Sequence, residues 1–306
     1  MHAELVAVTG ATGFVGQTLI DRLRLRGYDV RALARRPQER REGIEWIAGD
    51  LADRAALAAL VKGTSAVIHV AGVVNAPDAA GFEAGNVTGT MNLIEEAVKA
   101  GSPRFIHVSS LSARQPQLSD YGASKLRGER VVMASGLDWT IVRPPTIYGP
   151  RDVDVFELFK LAKRGVVPLP PQGFQSVIHV DDLARLLLAL IPSGEDVTRQ
   201  IFEPDDGRPQ GWNHSEFARA IGWAVGRRIW PIHMRPGLLR LAARLDGMVR
   251  GKGARLTADR VSYMCHPDWR VTSERRVPET LWKAKVPTRE GLRSAADWYK
   301  LNGWLK

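Results

Sequence analysis

The sequence feature that most constrains the fold of this chain is a glycine-rich turn near the N-terminus. An apolar run at Leu5–Val8 leads into three glycines, Gly10, Gly13 and Gly16, and then into a helical pattern over 17–23. Gly10 would let the chain turn off a strand, Gly13 would let backbone approach a pyrophosphate, and Gly16 would let the helix pack on the sheet. This order predicts a dinucleotide on the helix N-terminus, where free N–H groups favour an anion. The alternative is an ordinary strand-to-helix turn that binds nothing.

Apolar runs and helical patterns alternate through the first half of the chain. Five further strands are predicted at Val30–Ala34, Ile44–Ala48, Ala66–Val70, Arg104–Val108 and Trp139–Val142. Helices are predicted at Arg54–Val61, Asn86–Ala100 and Tyr121–Met133. Six strands alternating with helices predict an α/β fold on a doubly wound parallel Rossmann sheet, whose ligands bind beyond the C-terminal ends of the strands.

The alternation breaks after Arg143, where proline and glycine cluster in two loop stretches. Val177–Val180, followed by a helical pattern at Asp181–Leu190, indicates a return to the sheet layer. From about Gln200 the sequence becomes basic and rich in tryptophan. These changes predict a dinucleotide-binding Rossmann domain and a smaller, mostly helical substrate-binding region. Their predicted extents are 1–150 with 176–199, and 151–175 with 200–306.

Composition points to a globular protein of a reducing compartment. Hydrophobic residues make up 44% of the 306, and the one cysteine, Cys265, excludes an internal disulfide. No apolar run approaches the roughly 20 residues that span a bilayer, and the N-terminus shows no basic leader with an apolar core. We therefore expect a cytoplasmic location. No His, Cys or carboxylate cluster has metal-ligand spacing, so no metal site is expected.

The net charge of +10 is concentrated in the C-terminal third, where residues 207–306 hold 20 Lys and Arg against 8 Asp and Glu. The helical pattern at Gly237–Val249 has arginines beside one apolar face, formed by Leu238, Leu241, Ala242, Leu245 and Val249. Such a helix can make weak contact with an anionic membrane surface. More commonly its apolar face packs into the core and its basic face is solvated. The tryptophans are too widely spread for a nucleic-acid module, so no nucleic-acid partner is expected.

Residues after two predicted strands indicate how the adenosine end of the dinucleotide is bound, and whether it is NAD or NADP. Arg35 and Arg36 end the second strand, where an acidic residue usually binds a bare ribose 2′-hydroxyl. Guanidiniums suit a 2′-phosphate, so the pair predicts NADP in preference to NAD, unless Arg35–Arg41 is only a solvated loop. Asp50 follows the third strand, where its carboxylate could accept from an adenine amino group or cap the next helix.

A serine, a tyrosine and a lysine form the candidate catalytic group. Ser110 closes the fifth strand, and Tyr121 and Lys125 share one face of the next helix because they are four residues apart. An ammonium beside a phenol favours the phenolate. Such a tyrosine can exchange a proton with a substrate hydroxyl or carbonyl while a hydride moves to or from nicotinamide.

In order and spacing these motifs resemble the extended short-chain dehydrogenase/reductases, an NAD(P)-dependent epimerase/dehydratase-like family that also includes reductases. The matching segments are Thr9–Gly16, Gly49–Leu51, His69–Gly72, Asn86–Thr90, Val108–Ser110, Tyr121 with Lys125, Arg143–Pro145, Tyr148–Pro150 and His179–Ala184. They span most of the first 190 residues.

The resemblance implies Tyr121 as the acid/base, Lys125 as its partner and ribose contact, and Ser110 as the hydroxyl that orients the substrate oxygen. Ser112 is the fallback, since epimerases of this branch usually carry Ser or Thr where this chain has Leu111. The implied cofactor-binding residues are Gly10, Thr12, Gly13, Phe14, Val15, Gly16, Arg35, Arg36, Asp50, Leu51, Ala71, Gly72, Tyr121, Lys125, Pro144 and Ile147.

For function, the resemblance implies an NADP-dependent enzyme that interconverts a small-molecule secondary alcohol and a ketone, with a homodimer as one assembly to consider. Two alternatives stay open: a nucleotide-sugar epimerase or dehydratase with tightly held cofactor, and a non-catalytic protein that senses NADP or acts as a scaffold. The ten-residue loop from Leu111 to Asp120 is short for a large sugar-nucleotide pocket.

Asn86 matches an asparagine near the active site in many members, or it caps a helix.

Overall fold

A computed structural model of the chain describes residues 4–101, 103–254 and 256–305. It separates into two compact units. The first ends at Arg143 and takes up the chain again over Leu183–Phe202, and the second is formed by Pro144–Asp182 with the residues from Glu203 onward. The units are described one at a time.

The first unit contains a parallel sheet of seven strands. Numbered in chain order, they are β1 (Leu5–Thr9), β2 (Asp29–Ala34), β3 (Ile44–Ala48), β4 (Ala66–His69), β5 (Arg104–Val108), β6 (Trp139–Val142) and β11 (Gln200–Phe202). Their spatial order is β11-β6-β5-β4-β1-β2-β3. Six strands in the order 3-2-1-4-5-6 are the doubly wound arrangement of dinucleotide-binding sheets, so the predicted fold class is confirmed.

The seventh strand corrects the sequence analysis, which assigned residues from Gln200 onward to the substrate-binding region. Ile201 pairs with Ile141, so β11 extends the sheet beside β6 in parallel. Three residues are too few to carry a readable periodicity.

Eleven helices occur in the described residues: α1 (Phe14–Leu25), α2 (Arg54–Val61), α3 (Ala79–Glu83), α4 (Gly89–Lys99), α5 (Asp120–Met133), α6 (Phe156–Arg164), α7 (Val180–Ala189), α8 (His214–Ala224), α9 (Pro236–Arg250), α10 (Ala258–Met264) and α11 (Thr288–Leu301). A π-helical turn at Ala84–Thr88 joins α3 to α4. In the first unit, apolar side chains of α2 and α4, among them Leu57 and Leu93, share a buried cluster with Phe105 and Ile141 of the sheet.

The second unit contains short strands: β7 (Thr146–Tyr148), β8 (Val166–Leu169), β9 (Phe174–Gln175), β10 (Val177–His179), β12 (Trp212–Asn213), β13 (Trp230–His233) and β14 (Asp268–Trp269). β10 pairs with β7 in a two-stranded sheet and does not join the seven-stranded one, so the expected return to the sheet layer at this strand is wrong. Tyr148, Phe159, Phe217 and Tyr299 are fully buried together in the core of this unit.

Candidate active site

Two of the three motif glycines are required by the backbone itself. Gly10 follows β1 with a φ of +70°, which only glycine adopts readily, and a Cβ there would lie 2.6 Å from the Ala71 nitrogen. A Cβ at Gly16 would lie 2.1 Å from the Gly10 carbonyl oxygen. The tight turn and the close packing of α1 therefore depend on these two positions.

The third glycine forms an exposed helix N-terminus. Gly13 is the N-cap of α1, and no side chain caps the helix among the described residues. Thr12 and Gly13 are exposed, and Phe14 and Val15, which begin the helix, are half-buried. The first-turn N–H groups of a helix have no intrahelical acceptor and attract an anion. This open helix N-terminus, at which Gly13 has no Cβ to occupy the space above the N–H groups, fits the pyrophosphate of a dinucleotide.

Arg35 and Arg36 directly follow β2, which lies beside β1 in the sheet. Both side chains are exposed, and in the described part of the chain neither guanidinium has an ion-pair partner. They are thus open to a phosphate from solvent.

Asp50 is exposed after β3, and its carboxylate accepts from the Ala52 N–H at 2.8 Å. It does not cap α2, because Asp53 does so by accepting from the Ala56 N–H at 3.0 Å. Asp50 therefore lies in the turn just before the helix, in the N-cap region that the sequence also allowed, but the cap itself is Asp53. Leu51 beside it is half-buried.

The segment after β4 brings the lysine close to the predicted cofactor residues. The Ala71 N–H donates to the Thr9 hydroxyl at 3.2 Å. Gly72 is exposed, and a Cβ on it would lie 3.1 Å from Asn86 Oδ1 and 3.5 Å from Lys125 Nζ. A side chain larger than hydrogen would crowd the Asn86 oxygen and come into van der Waals contact with the lysine nitrogen.

Asn86 lies within the π-helical turn and is almost fully buried. Its side chain accepts from the Val73 N–H at 2.7 Å and donates to the Val73 carbonyl and the Ser124 hydroxyl, each at 2.9 Å. It therefore fastens the segment after β4 to α5 and is not the helix N-cap considered from the sequence. Single π turns often occur at functional sites.

Lys125 is buried on α5, where its ammonium donates to the Val108 carbonyl at 2.9 Å. Burial lowers the pKa of this amine to about 8, and the charge of Glu129 opposes that shift. The lysine is thus fixed in position at the end of β5.

A buried ionic network lies one helical turn beyond Lys125. Glu129 is fully buried, accepts from the Ser109 hydroxyl at 2.5 Å and pairs with Arg143 through nitrogen–oxygen distances of 2.6 and 2.8 Å. The sequence analysis gave none of these three residues a role. The available signal was the four-residue spacing from Lys125 to Glu129, which places both on one helix face.

Tyr121 is half-buried one turn before Lys125, and its ring centroid lies 6.0 Å from that of Phe82. Ser110 is also half-buried, and its oxygen accepts from the N–H and the hydroxyl of Ser112, at 3.2 and 2.9 Å. Ser112 is the more buried of the two serines. The first unit therefore holds the serine on the turn after β5, and the tyrosine and lysine on α5.

The remaining predicted cofactor residues, Pro144 and Ile147, belong to the second unit. Pro144 is buried, and Ile147 pairs with Ile178 between β7 and β10. Their role toward a cofactor stays a prediction.

These features define a Rossmann-fold protein of the dinucleotide-binding type. The model of the NAD dependent epimerase/dehydratase family matches residues 6–203. The chain belongs to this enzyme family, as its motifs predicted, and the family supports a pyridine nucleotide as the cofactor.

Relatives in the family carry different activities. The chain is 36% identical over 310 aligned positions to ceramide reductase of Caulobacter vibrioides, covering 98% of this chain and 96% of that protein. It is 26% identical to UDP-glucose 4-epimerase of Vibrio cholerae, covering 95% and 94%. The solved structure of MoeE5 in complex with UDP-glucose and NAD aligns with a TM-score of 0.76, 25% identity and coverage of 98% and 99%.

Proposed function

We propose that this chain is an NADP-dependent oxidoreductase that interconverts a secondary alcohol and a ketone by hydride transfer. The observation that carries the proposal is the placement of Tyr121 one turn from Lys125, whose buried ammonium is fixed on the Val108 carbonyl. A fixed cation beside a phenol equips it to act as an acid or a base.

The chain's own groups would handle the proton. Tyr121 donates its hydroxyl proton to the substrate oxygen during reduction and takes it back during oxidation. Lys125 stabilises the phenolate left between these steps. The Ser112 hydroxyl already donates to Ser110, which leaves the Ser110 proton for the substrate oxygen. When bound, NADPH would supply the hydride for reduction and NADP⁺ would accept it in oxidation.

The first unit would bind the dinucleotide, with the pyrophosphate on the N-terminus of α1. The unpaired guanidiniums of Arg35 and Arg36 support NADP over NAD, since a 2′-phosphate offers them a doubly charged partner. We assign substrate binding to the second unit.

For the substrate class, we propose a long-chain lipid ketone. The likeness to ceramide reductase extends over nearly the full length of both chains, including the second unit, where specificity is expected to lie. A ceramide is an N-acylated long-chain amino alcohol, and the ketone that corresponds to it carries a carbonyl that suits the Tyr121 group.

The test is an assay of the purified protein with NADPH and this amino ketone in mixed micelles. The secondary alcohol is quantified by mass spectrometry. We expect turnover that depends on NADPH. Absence of product, with UDP-glucose epimerised instead, would overturn the proposal.

A second candidate is a nucleotide-sugar epimerase or dehydratase, supported by the 26% identity to UDP-glucose 4-epimerase in an alignment that covers 95% of this chain. Such an enzyme would retain its nucleotide through purification and convert its substrate without net consumption of NADPH. If neither the amino ketone nor UDP-glucose is converted while NADP still binds, a sensing or scaffolding role is supported.

A cytoplasmic location and a homodimer also stay predictions. Cell fractionation and light scattering of the purified chain would test them.

A further inference from the structure

We propose that the outward face of α9 is a docking surface for an anionic lipid bilayer. This α9 face is formed by Leu238, Leu241, Leu245, Met248 and Val249, which project from one side of the helix between 50% and 83% exposed. The proposal goes beyond the reaction proposed above and does not depend on it.

The α9 face is not the side of the helix that packs. Leu239 and Ala243 point the other way and form a buried cluster with Val261 of α10. The commoner outcome expected from the sequence, an apolar face packed into the core, is therefore wrong for these leucines. They occupy a separate stripe, centred roughly 150° around the helix from the packed residues.

Positive charge lies along one flank of the stripe. Arg240 and Arg244 are exposed and follow each other at helical spacing beside the leucines. The carboxylate of α9, Asp246, is half-buried on the other flank, where it pairs with Arg250 at 3.3 Å and accepts from the Leu256 N–H at 3.0 Å. The sequence from 227 to 260 carries nine Lys and Arg against two Asp and Glu.

This combination selects a lipid surface among the partners that could cover an apolar face. Aliphatic side chains gain by entering the acyl boundary, while long basic side chains beside them reach anionic headgroups. Antiparallel contact between two copies, with the two-fold axis perpendicular to α9, would bring Arg240 and Arg244 close to their own symmetry mates, and a dimer on this face is an outcome of the test below. Nucleic acid offers no apolar phase for five aliphatic side chains.

The mode of contact is peripheral. In the described part of the chain, no helix combines the length and hydropathy that crossing a bilayer demands. The strand just before α9 also exposes two apolar side chains on one face, Trp230 and Ile232. Tryptophan is favoured at the boundary between headgroups and acyl chains.

The experiment is sedimentation of the full chain with sucrose-loaded vesicles of phosphatidylcholine containing phosphatidylglycerol, and with vesicles of phosphatidylcholine alone. The apolar variant is Leu241→Glu with Leu245→Glu, and the charge variant is Arg240→Glu with Arg244→Glu. The matched control is Leu25→Glu with Leu301→Glu, since these leucines are 74% and 87% exposed on α1 and α11. Thermal melts establish that each variant is folded.

We expect the wild type and the control to bind the anionic vesicles equally. Each α9 variant should lower the partition coefficient at least about tenfold, and added salt should weaken the wild type. Equal binding by the wild type and the apolar variant, or no binding by the wild type, overturns the proposal. So does a wild-type dimer that the apolar variant converts to a monomer without loss of vesicle binding.

Turnover of a short-chain, water-soluble ketone separates this proposal from the proposed reaction. We expect the α9 variants to keep wild-type turnover of such a ketone while losing vesicle binding, because the changed side chains face solvent on the outward side of α9 and none of them has a role in the proposed reaction.

Discussion

At the scale of single residues, the site is organised around a buried cation. Lys125 is held by the Val108 carbonyl, and the negative charge of Glu129 lies one helical turn away. Because Glu129 also pairs with Arg143, the carboxylate is held in position from both sides. The protonation of Lys125 is therefore linked to the buried pair of Glu129 and Arg143.

Replacing Tyr121 by Phe removes the proposed acid and leaves the ring. We expect kcat to fall by about 10²–10⁴, the usual contribution of a positioned proton donor. The Kd for NADP should change little, because the ring and Lys125 remain. Steady-state kinetics and a titration followed by the fluorescence of the nine tryptophans measure the two quantities. Full activity in this variant would contradict the mechanism.

The pKa of Lys125 predicts a pH limit on turnover. Since burial lowers this pKa from its ordinary value of 10.5 to about 8, the ammonium is lost as pH rises through about 8, and kcat/KM should fall there. Between these values the unfolded chain binds the extra proton, so the lysine's contribution to stability rises with pH in that window.

Glu129→Gln should move the kcat/KM midpoint to lower pH, because the carboxylate raises the pKa of Lys125. It should also destabilise the fold by about 3 kcal/mol, since the Arg143 guanidinium loses its counter-charge. The pH–rate profile and a denaturant melt report these effects, with the exposed Glu42→Gln as control. An unmoved midpoint in Glu129→Gln would show that the lysine does not limit the rate.

At the scale of elements, the turn from β1 to α1 contains one glycine that is needed for packing and one that is placed to contact a ligand. Gly16 is pressed against the Gly10 backbone, whereas Gly13 has an ordinary φ of −81° and faces solvent at the helix N-terminus. The two positions should respond differently to the same added methyl group.

Gly16→Ala should destabilise the chain by about 1–3 kcal/mol, because its Cβ has no room beside the Gly10 carbonyl. Gly13→Ala should cost less stability, since its Cβ would lie 3.2 Å from the Gly10 carbonyl oxygen where that of Gly16→Ala would lie 2.1 Å away. It should weaken NADP binding at least about tenfold, because the methyl group blocks the approach of a pyrophosphate. Melting curves and titrations compare the two variants directly. If Gly13→Ala binds NADP as tightly as the wild type, this helix N-terminus is not the phosphate site.

Arg35 and Arg36, which follow β2, are predicted to determine the preference for NADP over NAD. Replacing Arg35 and Arg36 together by Ala should raise the Kd for NADP by about ten- to a hundredfold, as expected for hydrogen bonds to a charged phosphate, and leave the Kd for NAD nearly unchanged. Arg40→Ala, an exposed arginine of the same loop, is the matched control. Equal affinity of the wild type for NAD and NADP would refute the assignment.

At the scale of the whole molecule, nucleotide binding should raise the free energy of unfolding of the chain. A ligand that binds only the folded chain at 100 times its Kd adds about 2.7 kcal/mol. NADP should therefore raise the Tm of the full chain, and the double arginine variant should need more nucleotide for the same shift. The measurement is differential scanning fluorimetry with NADP and NAD in parallel. A chain whose Tm does not respond to NADP would contradict nucleotide binding.

The sequence by itself determined the sheet class and the residues on which the proposed chemistry rests. Local periodicity identified six strands and the helices between them, and spacing alone put Tyr121 and Lys125 on one face of α5. Such signals are local, since a turn glycine or a helix spacing acts on neighbours within a few residues.

Only the tertiary structure decided which groups met across long separations. Val73 and Asn86 are 13 residues apart, and the side chain of Asn86 crosses a further 38 to reach Ser124. The pairing of Glu129 with Arg143 likewise depends on α5 and β6 packing together. The exposure of the α9 leucines was also decided by tertiary structure. An amphipathic pattern fixes which residues share a face, but the neighbouring elements decide whether that face is covered.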